Sequence, residues 1–255
     1  PAAPLWLPFV AGLIAIGLGK QLYGGLGQNP VNPAMLAYAI LIVSAPVAMT
    51  TGWIVPFQGW STPMPLTGIG VGAVDGLTGA TILDLYRTEF RELTAPEIAQ
   101  HLLFSVGGLG IAPGVEWVAL SHLLGGGFLF ARRVIRWQAP VGFLVGLLGL
   151  AAFFAIDPDN TVPVLTHALA GATLFSAFFI VTDPVSGATS PRGQWWFGLG
   201  AGVITYLIRT YGLYPDGVAF AVLFMNFMVP LIDQYTRPRI HGESRSIRGS
   251  VRGRS

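Results

Sequence analysis

Apolar residues in this chain fall in long continuous runs, neither at the alternating spacing of exposed strands nor in the one-sided stripe of soluble helices. The runs at 5–22, 35–56, 115–131, 138–156, 163–182, 196–213 and 217–233 predict seven membrane-spanning helices, because about twenty apolar residues cross a bilayer core. The expected fold is therefore an all-α, polytopic helical membrane protein. Several runs are short or interrupted by Gly and Pro, a pattern frequent in bundles that bind something at depth. The segment LLFSVGGLGIA, 102–112, is too short to span and is expected to be re-entrant.

Composition agrees with that class. Hydrophobic residues make up 53% of the 255 and charged residues 10%, against about 25% charged in ordinary globular chains. The 34 glycines lie largely inside apolar segments, where they suit close helix packing and broken helices. With no cysteine, the chain holds neither a thiolate-ligated iron–sulfur cluster nor a disulfide. An electron carrier bound here has to be organic or held by other ligands.

Charge placement predicts orientation. Arg132, Arg133 and Arg136 lie between the third and fourth runs, Arg192 between the fifth and sixth, and six arginines from Arg237 onward. One threading makes all of these cytoplasmic, with Lys20 in agreement. The stretch 57–114 then faces outward; its Arg87 and Arg91 run against the rule, but Asp84, Glu89, Glu92 and Glu97 accompany them. The membrane domain is expected over 1–236 and a basic cytoplasmic tail over 237–255, read as a retention signal in preference to a nucleic-acid arm. No charged region precedes a cleavage site at the N-terminus, so the chain is expected to start mid-protein.

Two similar heptads stand out: DGLTGAT at 75–81 and DPVSGAT at 183–189. Three spans separate them, placing them on opposite faces, as an inverted repeat would. In the first, Gly76, Gly79 and Ala80 leave backbone exposed, Thr78 and Thr81 offer hydroxyls, and Asp75 a carboxylate. Either this is a turn capping a helix from about Ile82, or it is an acceptor site at which an enzyme reaches the Thr81 hydroxyl. In the second, Asp183 and Ser186 are expected to turn the chain and cap the next helix. GGLGQNPVNPAM, 24–35, predicts Asn32 as an N-cap with Pro33 at the first helical position; Gln28 and Asn29 also offer amide donors to a ring system. Glu116 suits a helix N-terminus, and also belongs with the ionisable groups that are functional candidates near a membrane interior. His122 and His167 sit inside apolar runs as packing residues, with nothing to pair them.

YPDGVAFAVLFMNFMVPLIDQYTRP (214–238), KQLYGGLGQNPVNPAM (20–35), TDPVSGATSPRG (182–193) and PGVEWVALSHLLGGGFLF (113–130) resemble stretches of the D subunit of Rnf-type ion-translocating oxidoreductases, related to the B subunit of sodium-pumping NADH:quinone reductases. The resemblance implies a multi-pass inner-membrane subunit of bacterial or archaeal type, with a fold similar to urea transporters. It implies a translocase that couples ferredoxin and NAD oxidoreduction to Na+ or H+ movement, in which this chain passes electrons through flavin. A D-x-x-[ST]-G-A-T motif in that family carries FMN as a threonyl phosphoester. It maps onto Asp75, Thr78, Gly79, Ala80 and Thr81, with Thr81 as the attachment residue, loaded from FAD by a flavin transferase on the outer face. A second, non-covalent flavin, riboflavin, is implied nearer the cytoplasm, with Asp183 and Ser186 lining its pocket as the alternative to their structural role. The implied partners are the complex's other membrane and peripheral subunits and membrane lipid, with no nucleic acid. Nicotinamide and ferredoxin sites fall to those subunits, since this chain has no dinucleotide fingerprint and no Cys cluster. The family usually begins further upstream, with at least one more span. A passive small-solute channel is the reading from another class, and the quinone-reductase sister subunit the nearer alternative.

The threading makes a direct prediction. Cysteines introduced at Gly68 and Ser244 will label from opposite sides of the membrane with an impermeant thiol reagent. Labelling of both from one face overturns the orientation.

Overall fold

The computed structural model describes residues 4, 6–25, 27–50, 53–54, 78–79, 83, 86, 115–155, 162–212, 214 and 216–236. The expected re-entrant segment 102–112, most of 57–114 and the tail 237–255 lie outside the described residues.

The described residues are helical apart from one two-residue strand pair. The elements are α1 (Trp6–Leu13, continued by a π-turn at Ile14–Leu18 and a 3-10 turn at Gln21–Tyr23), α2 (Pro33–Ser44), α3 (Pro46–Thr50), β1 (Trp53–Ile54) and β2 (Thr78–Gly79). Then come α4 (Val115–Ala131), α5 (Gln138–Phe154), α6 (Val164–Leu169), α7 (Thr173–Phe175, continued by a π-turn at Ser176–Ile180), α8 (Pro191–Tyr211) and α9 (Val218–Thr236). Two helical stretches, Trp6–Tyr23 and Val218–Thr236, are long and apolar enough to cross a membrane by themselves. α8 starts at Pro191, five residues ahead of the expected 196. Its first turn is polar, so hydropathy alone hides it; its 21 residues reach about 30 Å.

Two predicted spans are broken. The run 35–56 ends its first helix at Ser44, where Ala45 leaves helical geometry (φ −132°, ψ 57°), and resumes at Pro46. The proline fits the first position of a new helix and cannot donate into the old one. The run 163–182 breaks at Ala170, Gly171 and Ala172, with Gly171 left-handed at φ 65°.

The core lies where α5 meets α8. Phe143, Leu147, Phe197 and Ala201 are buried there, with Val222 of α9 against them. Both helices carry a small-xxx-small stripe: Gly142 and Gly146 on α5, Gly198 and Gly202 on α8. A Cβ at Gly142 would lie 2.6 Å from the Trp195 carbonyl oxygen, and one at Gly202 would overlap the Phe143 carbonyl oxygen. Backbone therefore touches backbone, the mode by which membrane helices associate where lipid removes any hydrophobic drive. The sheet is a single antiparallel pair in which Trp53 faces Gly79 and Ile54 faces Thr78. It ties the chain just after α3 to the first heptad.

Gly202→Leu will therefore destabilise the bundle by about 1–3 kcal/mol or prevent its assembly, since overpacking forces backbone apart. Gly149→Ala, with nothing within 4 Å of the added atom, will be near neutral. Thermal unfolding of the detergent-purified protein distinguishes them; equal losses would place the close contact elsewhere.

Candidate functional site

Two polar nodes lie at opposite ends of the bundle. At the end carrying Arg132, Arg133 and Arg136, three of the stretches singled out in sequence converge. Asn32 caps α2 as expected: its Oδ1 accepts from the Ala34 and Met35 N–H groups at 3.0 and 3.2 Å, with Pro33 next. Its Nδ2 donates to Asp183 Oδ2 at 3.3 Å. The same carboxylate accepts from the Ser186 hydroxyl at 2.6 Å and from the Val185 N–H at 3.1 Å. DPVSG is thus a turn closed by its own aspartate. Asn226 is 2% exposed. With its amide set to satisfy both neighbours, it donates to the Ser186 carbonyl at 3.1 Å and accepts from the Asn32 N–H at 2.8 Å. Four residues on, Pro230 lacks the N–H that would bond the Asn226 carbonyl.

Thr189 and Ser190 extend this node. The Thr189 hydroxyl donates to Asp233 Oδ2 at 2.9 Å, and its N–H to Oδ1 at 3.0 Å. Ser190 caps α8 by accepting from the Gly193 N–H at 2.9 Å, and donates its own proton to Thr236 Oγ1 at 2.7 Å. Asp183 and Ser186 therefore turn the chain as expected, but the next helix is capped by Ser190. Asn226 and Asp233 went unremarked in sequence, although an asparagine four residues before a proline in an apolar helix is the signal for them.

The opposite node is built on the break at 170–172, and sequence reasoning missed its centre, Arg209. The Arg209 side chain is 1% exposed and pairs with Asp216 Oδ1 through Nη2 at 3.1 Å. Nη1 donates to the His167 carbonyl at 3.2 Å and to Thr173 Oγ1 at 2.8 Å. Asp216 Oδ2 accepts from the Ala172 N–H at 2.8 Å, and Oδ1 from the Val218 N–H at 3.4 Å. The cation thus takes the carbonyl end of α6, while the anion takes amide ends at α7 and α9, as the helix dipoles favour. Gly171 is required here: besides its φ of 65°, a Cβ would lie 3.0 Å from Arg209 Nη2 and 2.8 Å from Leu83. A basic residue inside an otherwise apolar span was the available signal.

The histidines remain separate. The His122 ring lies 5.3 Å from Phe175 and 6.3 Å from Phe179, whereas His167 lies 5.5 Å from Tyr206. Glu116 falls in the first turn of α4, as predicted.

Of the first heptad, Thr78 and Gly79 form β2; Asp75, Ala80 and Thr81 lie outside the described residues. The flanks on both sides are fixed. Gly79 pairs with Trp53, and Leu83, 7% exposed, packs with Tyr86 against buried Ala170. Burial holds the Tyr86 phenol above its usual pKa, with a hydrogen bond to Thr166 pulling the other way. The chain around the heptad is thereby attached to the Arg209 end.

The family described as NQR2, RnfD, RnfE matches residues 1–242. The D subunit of the ion-translocating oxidoreductase complex from Marinobacter nauticus is 48% identical over 260 aligned residues, covering 99% of this chain and 73% of the relative. Its counterpart from Pseudomonas aeruginosa is 50% identical over 258, covering 99% and 74%. The Yersinia enterocolitica protein of the same name is 43% identical over 270, covering 96% and 74%.

The Arg209 node has a measurable energy. Asp216→Ala strands a buried guanidinium and will cost about 3 kcal/mol, whereas Arg209→Met with Asp216→Ala will cost less, because no charge is left unpaired. Thermal unfolding of the two variants in detergent checks the order; a double variant as unstable as the single one would show that the ion pair is not what closes the break.

Proposed function

The chain belongs to the NQR2, RnfD, RnfE family, on the branch of the D subunits of ion-translocating oxidoreductase complexes, and on that footing we propose that it is the complex's flavin-bearing membrane subunit. In this reading FMN is esterified through its phosphate to Thr81, and electron transfer between ferredoxin and NAD is coupled to Na+ or H+ movement by the assembled complex. The observation that carries it is the heptad Asp75-Gly-Leu-Thr78-Gly79-Ala80-Thr81 in a chain matched along residues 1–242.

The flanking geometry supports the attachment. Thr81 is two residues from Gly79 in β2 and two from Leu83 on the α6–α7 break, so roughly 7 Å of chain links it to each. Gly79 faces Trp53 without a side chain of its own. Bound FMN would supply the redox chemistry; the chain's share is to anchor the phosphate and hold its position relative to the bundle.

The arginines make the basic end cytoplasmic, by the positive-inside rule. That puts Thr81 outside, within reach of a flavin transferase acting there, and Thr189 inside. The Thr189 hydroxyl also already donates to Asp233. A second, non-covalent flavin, riboflavin, fits the cytoplasmic side beside Gln28. The Gln28 side chain is exposed there and offers an amide, beside the exposed, left-handed Gly24 and Gly27. The broken span at 170–172 also suits a passive solute channel, which has no need of a covalent flavin.

In-gel fluorescence of denatured protein tests the assignment. Wild type and Thr189→Ala will fluoresce, and Thr81→Ala will not, while remaining in the membrane at normal level. A fluorescent Thr81→Ala band removes Thr81 as the acceptor, and a dark wild-type band from cells containing the transferase favours the channel.

A further inference from the structure

The basic end holds charge that the bundle does not use. Arg132, Arg133 and Arg136 occupy the turn between α4 and α5, and Arg192 the first turn of α8; all are exposed. Among the described residues none of the four makes an ion pair or a side-chain hydrogen bond, in contrast to Arg209 with its Asp216 at the opposite end. Orientation explains why arginines lie on this side. It does not explain how they are arranged.

Two of the four, Arg133 and Arg136, line a pocket. A cavity of about 700 Å³ opens between the α4–α5 turn and the start of α8, lined by Phe130, Arg133, Arg136, Trp137, Gln138 and Pro191 among others. Arg133 adopts φ 58°, a left-handed conformation at a helix C-terminus where glycine is the usual residue. The turn is held by the Arg133 N–H to the Phe130 carbonyl at 2.9 Å and the Val134 N–H to the Leu129 carbonyl at 3.0 Å. Apolar surface adjoins the charge: Phe130 is 49% exposed, Val134 68% and Trp137 50%. Trp137 meets Trp195 edge to face at 6.2 Å, the side chain typical of the bilayer interface.

We propose that this pocket binds the headgroup of an anionic phospholipid. Guanidinium groups match phosphate oxygens in charge and in planar donor geometry. Phe130, Val134 and Trp137 offer the apolar shoulder on which the acyl chains start. Basic pockets between membrane helices are suited to anionic headgroups for these reasons. A soluble anion would satisfy the arginines and leave that shoulder bare.

Native mass spectrometry of the purified complex, titrated separately with phosphatidylglycerol, phosphatidylcholine and inorganic phosphate, tests this. Phosphatidylglycerol is expected to bind at least about tenfold more tightly than phosphatidylcholine. Each arginine near the headgroup is worth about fivefold, so Arg133→Gln with Arg136→Gln should weaken phosphatidylglycerol about twentyfold, while the Lys/Lys pair stays within a few-fold of wild type. Equal binding of the two lipids overturns the proposal, as does an unchanged Gln/Gln variant. Displacement of the lipid by millimolar phosphate would make this a free-anion site. Loss of a neighbouring subunit from the Gln/Gln complex, with lipid retained, would make it a protein interface. The wild-type comparison decides between the lipids whether or not the variants accumulate.

Discussion

The close approach of α5 and α8 is the constraint on which the other features rest. In a bilayer, two helices gain nothing by hiding apolar surface from each other, since lipid is equally apolar. What remains is fit, and the glycines at 142, 146, 198 and 202 let backbone meet backbone. α8 carries the Ser190 cap at one end and Arg209 near the other. The depth at which it locks against α5 therefore sets the position of both polar nodes together.

Both nodes answer the same problem. A chain that turns or breaks beside hydrocarbon exposes N–H and C=O groups that water cannot reach, and they must be satisfied from within. At the basic end the solution uses neutral amides and hydroxyls around two carboxylates, Asp183 and Asp233. At the other end a full ion pair serves one helix break, with guanidinium and carboxylate each assigned to the helix terminus of opposite polarity. The first is a fold-back turn closed by its own Asp183 and Ser186 and braced by Asn32, Asn226 and Asp233 from neighbouring helices. The second is a gap within a span, which only groups from another helix can reach.

Much of this was legible in sequence wherever the signal was local. Asn32-Pro33 specified its cap, Glu116 its first turn, and Asp183 with Ser186 a turn, because each depends on residues within four of itself. The break at 170–172 was not legible, since Ala-Gly-Ala is apolar and leaves the hydropathy of 163–182 intact. Arg209 was passed over because its partners, at 167, 173 and 216, come from other segments. The strand pair was hidden by its length: two residues carry no alternation. For the proposed attachment site, resemblance supplied Thr81, and the structure supplied contacts of described residues on either side of it, Gly79 with Trp53 and Leu83 with Ala170.

The β1–β2 pair has a polymer consequence. It joins Ile54 to Thr78 across 23 intervening residues, so the separation of α3 from the heptad is fixed by the ladder and not by the length of chain between. Closing a flexible segment costs free energy that grows only logarithmically with length, about 0.6 kcal/mol for a doubling. An insertion or deletion between Ile54 and Thr78 is therefore expected to cost little in closure alone, so long as Gly79 keeps its register opposite Trp53.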